Sequence, residues 1–327
     1  MVDLVDVVPV GPIMNAEDMV AVPGTPWVLT TGLASAGHPQ GAIRAVHTGD
    51  LRIRTLFPCG DQGPRSGAVG TDVAVFSAHG LSLDPGPAGV HELFVVHHGS
   101  RESIELFRLD VTGAEPELTW VDSVPHAPTA LGNAVVALGN GRFAATNQAD
   151  TTDPDAFRRM AAGEVTGDVV EYDPASGWRH VPGTAGCGPN GLEADEHSYY
   201  VALWGSGQLL RTSRTDPGDR VLVDLGFLPD NLHWHHGRLL LAGHLGDVVE
   251  LDRLHATTDV MLAPSVVALV DPVTMTVERV AEFTSDVFGF AATAIVAGDR
   301  LWVSSARSDR ILTCRRPAAL SATGPDR

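Results

Sequence analysis

The chain has 327 residues, 44% hydrophobic and 19% charged: enough apolar material for a large core and too little charge for a disordered chain. Its 40 Asp and Glu outweigh 22 basic residues, every one of them Arg, giving a net charge of −18. That excludes Schiff-base and P-loop lysines and argues against nucleic-acid or anionic-membrane partners.

In chain order, MVDLVDVVPVGP carries Asp3 and Asp6 where a signal peptide has Lys or Arg. No apolar run approaches the roughly 20 residues of a membrane helix, so the expectation is a soluble, cytoplasmic protein. The rest of the chain shows period-two apolar runs bounded by Gly, Pro, Asp and Asn, which predicts short strands. Leu4 to Val10 is a lone strand. A triplet follows: NAEDMVAV (15–22), PWVLTT and AIRAVHTGD. The second triplet is AHGLSLD (78–84), ELFVVHH and IELFRLD; the third is GNAVVALG (132–139), RFAATNQ and VVEYDP. DPDAFRRMAAGE (153–164) interrupts the third as a predicted helix, suited to a lid. The fourth is PNGLEAD (189–195), YYVALWG and QLLRTS; the fifth is PDNLHWH (229–235), RLLLAGH and VVELDR; the sixth is AATAIVAG (291–298), RLWVSSA and ILTCRR.

Repeats roughly 40 to 65 residues apart suit propeller blades with some long loops. The predicted fold is all-β, a single six-bladed β-propeller over residues 1–316, with 317–327 a disordered tail. The strand at Leu4 to Val10 would pair with the last blade and close the ring. A two-sheet jelly roll fits six matched triplets poorly.

The first run of each triplet is the candidate innermost strand, and its start would ring one mouth of the central channel. Those starts carry Glu17-Asp18, His79, Asn133, Asn190 and Asp230-Asn231, against Ala291-Ala292 in the sixth. Asn and Asp commonly sit in turns and cap backbone groups, but five coincident positions favour a shared ligand. Oxygens from Glu, Asp and Asn are what Ca²⁺ prefers. Glu17 and Asp230 would balance its charge, and Asn133, Asn190 and Asn231 would add neutral carbonyls.

The same segments resemble the paraoxonases, a family of arylesterase and lactonase enzymes. NAEDMVAV is similar to their Glu-Asp segment, AHGLSL to their His-Gly-Ile-Ser segment, and HELFVVHHGSRESIELFRLD (91–110) to the stretch that follows. GNAVVALG with FAATN, PNGLEAD, and PDNLHWH with LLLAGH extend the likeness from about Val10 to Arg315. It reaches more thinly to the gluconolactonase and senescence-marker propellers. The resemblance implies that Glu17, Asn133, Asn190, Asp230 and Asn231 hold a catalytic calcium. It makes His79 the general base, His98 its supporting histidine and His244 a residue of the pocket. Asp18 would belong to a second, structural calcium, but Ala134 stands where the family has a further Asp. Gln148-Ala149 replaces an Asp-His pair. Cys314 matches half of a family disulfide whose partner is missing, as a reducing compartment would require.

The implied activity is hydrolysis of a lactone or aryl ester, with phosphotriesters as side substrates. Either His79 activates water or Asp230 attacks directly. A sugar-lactone hydrolase of the gluconolactonase type and a diverged, non-hydrolytic propeller are the alternatives. An apolar pocket would favour the first, and Phe288 and Phe290 are candidates for its wall. Other signals read as structural. His235 and His236 read as a turn, and His233 as a packed residue rather than a zinc ligand. His97 should face away from the channel if His98 faces it. Ser206 lacks the nucleophile-elbow pattern, GNGRF is a hairpin turn, and Cys187 is an inert buried thiol. Cys59, Cys187 and Cys314 are too scattered for a disulfide framework.

Overall fold

The computed structural model describes residues 4–58, 75–99, 101–255, 260–284, 286 and 288–321, so Cys59 and residues 322–327 lie outside the described part. A first strand, β1 (Val8–Val10), precedes β2 (Ala16–Ala21), β3 (Trp27–Gly32), β4 (Ala42–His47) and β5 (Ile53–Phe57). The second set is β6 (Ala78–Asp84), β7 (Val90–His98), β8 (Glu102–Asp110) and β9 (Glu117–Pro125). The third is β10 (Ala130–Gly139), β11 (Arg142–Asp150), β12 (Asp168–Asp173) and β13 (Gly177–His180), with helix α1 (Ala156–Ala161) between β11 and β12. The fourth is β14 (Pro189–Ala194), β15 (Ser198–Leu203), β16 (Gln208–Ser213) and β17 (Arg220–Asp224). The fifth is β18 (Leu228–His235), β19 (Arg238–His244), helix α2 (Val248–His255), β20 (Ser265–Val270) and β21 (Val277–Phe283); the last is β22 (Ala291–Ala297), β23 (Arg300–Ser305) and β24 (Ile311–Arg315).

Each set is an antiparallel meander, the arrangement that short loops between period-two strands allow. The β10–β11 turn shows the local chemistry: Asn140 and Gly141 take φ of 58° and 70°, the left-handed pair that a two-residue hairpin needs. Sets two to five are discrete four-stranded sheets. The remaining strands join in one eight-stranded sheet, ordered β1-β24-β23-β2-β3-β4-β5, with β22 also on β23. The propeller thus shows four discrete blades rather than six, because Ala16 of β2 pairs with Ser305 of β23 and fuses the first and last sets. β1 pairs antiparallel with β24, so the N-terminal strand closes the ring as expected.

The innermost strands β2, β6, β10, β14, β18 and β22 touch one another in a closed cycle around the channel. Between neighbouring sheets the apolar faces interlock. Between the first two, Phe57 meets Phe76 at 4.8 Å, Phe107 at 5.0 Å and Trp120 at 5.7 Å, all edge-on, as aromatic quadrupoles prefer.

Two expectations are corrected. VVELDR is not a strand but most of α2; Val248 and Leu251, one helical turn apart, are both buried, and the all-buried run SVVALV supplies β20 instead. The C-terminal tail does not begin at 317: Ala318–Leu320 form a short helical turn, and Leu320 is buried with its carbonyl accepting from His235 Nε2 at 3.0 Å.

Candidate functional site

Every innermost strand slips register at the same point. The slips fall between Ala16 and Met19, Ala78 and Leu81, Gly132 and Val135, Pro189 and Leu192, Pro229 and Leu232, and Ala291 and Ala294. In each, two residues of the inner strand oppose one of its neighbour, which is a β-bulge. The bulged pairs are Glu17-Asp18, His79-Gly80, Asn133-Ala134, Asn190-Gly191, Asp230-Asn231 and Ala292-Thr293. The bulge takes backbone groups off the ladder, and hydroxyls of the next strand replace them. Thr31 Oγ1 accepts from Asp18 N at 3.0 Å, Thr146 Oγ1 from Ala134 N at 2.9 Å and Ser304 Oγ from Thr293 N at 3.1 Å. Thr146 and Ser304 also donate to the carbonyls of Asn190 and Glu17 in the adjoining sets, at 2.8 and 2.9 Å. These hydroxyls lock the bulges against one another.

The bulges sort the polar residues into two layers. First members Glu17, His79, Asn133, Asn190 and Asp230 line one cavity of ≈ 130 Å³, completed by Leu33, Gln148, Phe157, Trp204, Leu251, Phe290 and Ala306. Second members Asp18, Ala134 and Asn231 line a separate cavity of ≈ 370 Å³ at the other side of the bulges.

In the upper layer three buried oxygens find no hydrogen-bond donor among the described residues: Glu17 Oε2, Asn133 Oδ1 and Asn190 Oδ1. Burial pushes the Glu17 carboxyl well above its usual range, and the neighbouring Asp18 charge adds to this. Burial and the Glu17 charge do the same to Asp230, against a hydrogen bond from Asn190. Orphaned acceptors and two crowded carboxylates around one cavity are what a cation relieves. Among the described residues no three His, Cys, Asp or Glu side chains gather into a metal-binding group. A cation here therefore depends on the asparagine carbonyls, and an all-oxygen donor set suits Ca²⁺. Asn231 stands differently from the other four: its Nδ2 donates to Glu17 Oε1 at 2.7 Å, and its side chain borders the lower cavity. It braces Glu17.

The lower layer does not fit a second ion. Asp18 Oδ1 already accepts from Met19 N at 2.8 Å, Thr293 Oγ1 at 2.9 Å and His233 Nε2 at 2.7 Å, and Oδ2 accepts from Leu81 N at 2.9 Å. Ala134 contributes no side-chain oxygen. His233 points into the channel rather than packing away. Its Nδ1 lies 3.3 Å from Glu193 Oε1, so an imidazole bridges two carboxylates. Burial opposes its charge, but Asp18 and Glu193 outweigh that and push its pKa up to about 10.

Beside the upper cavity His79 Nδ1 lies 2.6 Å from His98 Nε2, and His98 Nδ1 lies 2.7 and 2.9 Å from the oxygens of Glu102. Burial holds the His79 pKa down at about 4. His97 faces away, fully buried and stacked on Phe76 at 5.1 Å. His244 is not on the cavity wall. It lies behind it, stacked on Phe290 at 4.0 Å and accepting from Trp204 Nε1 at 2.7 Å, with burial taking its pKa down to about 3. Phe288 is fully buried with Phe283 in a core cluster away from the cavity, whereas Phe290 lines it. Cys187 is buried, its thiol donating to the Met160 carbonyl at 3.3 Å.

Sequence reasoning missed Glu102, Trp204, Phe157 and Leu251. Glu102 stands opposite His98 across the β7–β8 turn, a pairing readable from His-x-x-x-Glu once the hairpin is fixed. Phe157 and Leu251 come from α1 and α2, which touch each other near the mouth.

No family model and no curated protein matches the chain. Solved structures resemble it in fold. A calcium-binding regucalcin from Agrobacterium tumefaciens matches at TM-score 0.56 and 11% identity, covering 100% of both chains. A protein provisionally assigned as a gluconolactonase matches at TM-score 0.54 and 14% identity, over 96% of this chain and 94% of its own. A provisionally assigned glucose dehydrogenase from Thermus thermophilus matches at TM-score 0.53 and 15% identity, over 94% and 98%. Identities this low carry the propeller fold and nothing finer.

Proposed function

We propose that this chain is a calcium-dependent hydrolase of lactones or aryl esters, built on a ring that functions as six blades. The eight-stranded sheet is then two blades joined through the Ala16–Ser305 pairing. The observation that carries the reading is the meeting of Glu17, Asp230, Asn133, Asn190 and His79 on one apolar-walled cavity, where three of their buried oxygens find no partner among the described residues. Glu17, Asn133, Asn190 and Asp230 would hold the ion. When bound, it would polarise the substrate carbonyl as a Lewis acid.

The chain's own residues do the rest. Glu102 is ionised and only accepts, so His98 Nδ1 donates to it and His98 Nε2 is bare. His79 Nδ1–H then donates to that nitrogen, which leaves the lone pair on His79 Nε2, 3.4 Å from Glu17 Oε1 on the cavity wall, as a base for water. This arrangement favours activated water over direct attack by Asp230, whose carboxylate the ion would engage. Leu33, Phe157, Trp204, Leu251 and Phe290 surround the site and no Arg among the described residues lines it, which favours apolar acyl or aryl groups over sugar lactones. A gluconolactonase-type activity remains the second reading, on the fold likeness to a provisionally assigned gluconolactonase. The free, buried thiols of Cys187 and Cys314 suit a reducing, cytoplasmic setting.

The test is a panel of alkyl, aryl and sugar lactones assayed after EDTA treatment and after calcium return. Hydrolysis that appears only with calcium, strongest on apolar substrates, supports the reading. Undiminished hydrolysis in protein shown to be metal-free sinks it, as does a panel with no substrate.

A further inference from the structure

His79 lines the cavity and His98 stands behind it, and the next group out is a carboxylate. Glu102 begins β8 directly opposite His98, the last residue of β7. It grips the His98 ring with both oxygens and is itself fixed by the Gly132 amide at 3.2 Å. That backbone approach needs glycine: a Cβ at Gly132 would lie 2.9 Å from both Val96 Cγ1 and His126 Cδ2. Burial opposes ionisation of Glu102, but the His98 and Gly132 hydrogen bonds outweigh it and hold the carboxyl below its usual range. A side chain tied at both ends in this way is pre-organised rather than incidental.

We propose that Glu102 is a positioning residue that fixes the ring orientation and tautomer of both histidines through His98. The inference rests on the hydrolase reading and extends it. Without the carboxylate, His98 Nδ1 has no acceptor, and either ring nitrogen can carry the proton. With Nε2 protonated, His98 would force His79 to accept at Nδ1 and carry its own proton on Nε2, leaving no base toward the cavity. With Glu102 in place, His98 Nδ1 is the donor to the carboxylate, His98 Nε2 is the acceptor from His79 Nδ1, and His79 Nε2 is left as the open ring nitrogen.

The experiment compares Glu102→Gln and Glu102→Ala with wild type in two readouts: ring-nitrogen NMR of His98, and kcat and KM on the best lactone of the panel. Gln keeps an acceptor and loses the charge, whereas Ala loses both. The expected result is an Nδ1–H tautomer in wild type and Glu102→Gln and a mixture in Glu102→Ala. We expect kcat to fall on the order of 10²-fold in Glu102→Ala and to stay within a few-fold of wild type in Glu102→Gln, with KM within about twofold in both. A merely structural role would lower the melting temperature and leave tautomer and kcat unmoved, and that result overturns the proposal. So does an Nε2–H tautomer in wild type. Should wild type hydrolyse nothing, the hydrolase reading falls, while the NMR comparison still decides the role of Glu102.

Discussion

Glu17→Gln should stabilise the metal-free protein and abolish its response to calcium. Glu17 Oε2 is buried and finds no donor among the described residues, and burial drives the carboxyls of Glu17 and Asp230 toward the protonated form. An unsatisfied buried acceptor costs about 1–3 kcal/mol. Gln keeps the oxygen that accepts from Asn231 and removes the charge, so the gain should be of that size. At roughly 2 °C per kcal/mol for a chain this long, the variant should melt about 2–6 °C above wild type at pH 8. The sign with pH follows from linkage. Folded Glu17 and Asp230 hold protons that the unfolded chain releases above its ordinary carboxylate range. Wild-type stability without metal therefore declines as pH rises from that range toward the raised folded values. The advantage of the variant should accordingly shrink at pH 5. Calcium at a hundredfold excess over its dissociation constant adds about 2.7 kcal/mol to a protein that binds it only when folded. Calorimetry of EDTA-treated and calcium-loaded samples at both pH values decides the matter. A variant that melts below wild type at pH 8 without metal, or equal calcium shifts in both proteins, refutes the argument.

Further outcomes follow from other parts of the structure. His79→Gln should lower kcat/KM on the order of 10²-fold with little change in melting temperature, since the ring lines the cavity and is not part of the apolar core. His233→Leu should cost about 3–5 kcal/mol at pH 6, because Asp18 and Glu193 lose their shared donor. That stabilisation is complete below the ordinary histidine value and fades as pH rises through the folded value of about 10, so urea unfolding should show the gap closing in alkali. Phe157→Ala, on the partly exposed helix over the mouth, should lower kcat/KM for aryl and long-chain lactones about tenfold and spare short ones. Steady-state kinetics over a chain-length series would show whether it does.

Period-two runs are local, so the three expected strands of every set, apart from the fifth set's third member, could be placed from sequence. The exception is instructive. VVELDR alternates as a strand would, but Val248 and Leu251 also share one helical face, and only the apolar surface over the mouth selects between the two. The polar identities at the starts of the innermost strands were legible too, and the structure places Glu17, His79, Asn133, Asn190 and Asp230 on one cavity.

Other features required the folded chain. The bulges depend on register between strands, which no single run specifies, and they send consecutive residues such as Glu17 and Asp18 to different cavities. The contact of His233 with Asp18, 215 residues away, exists only because the ring closes. Likewise the family resemblance put His244, and the VFGFAA run put Phe288, on the pocket wall, but side-chain direction places one behind Trp204 and the other in the core. Sequence by itself determined the strand repeat and the oxygen-rich chemistry at its starts, because both are written in short-range polarity. Tertiary structure decided which of those oxygens meet, which histidine faces the cavity and which carboxylate steadies it. Those depend on register and closure, and distant segments set them together.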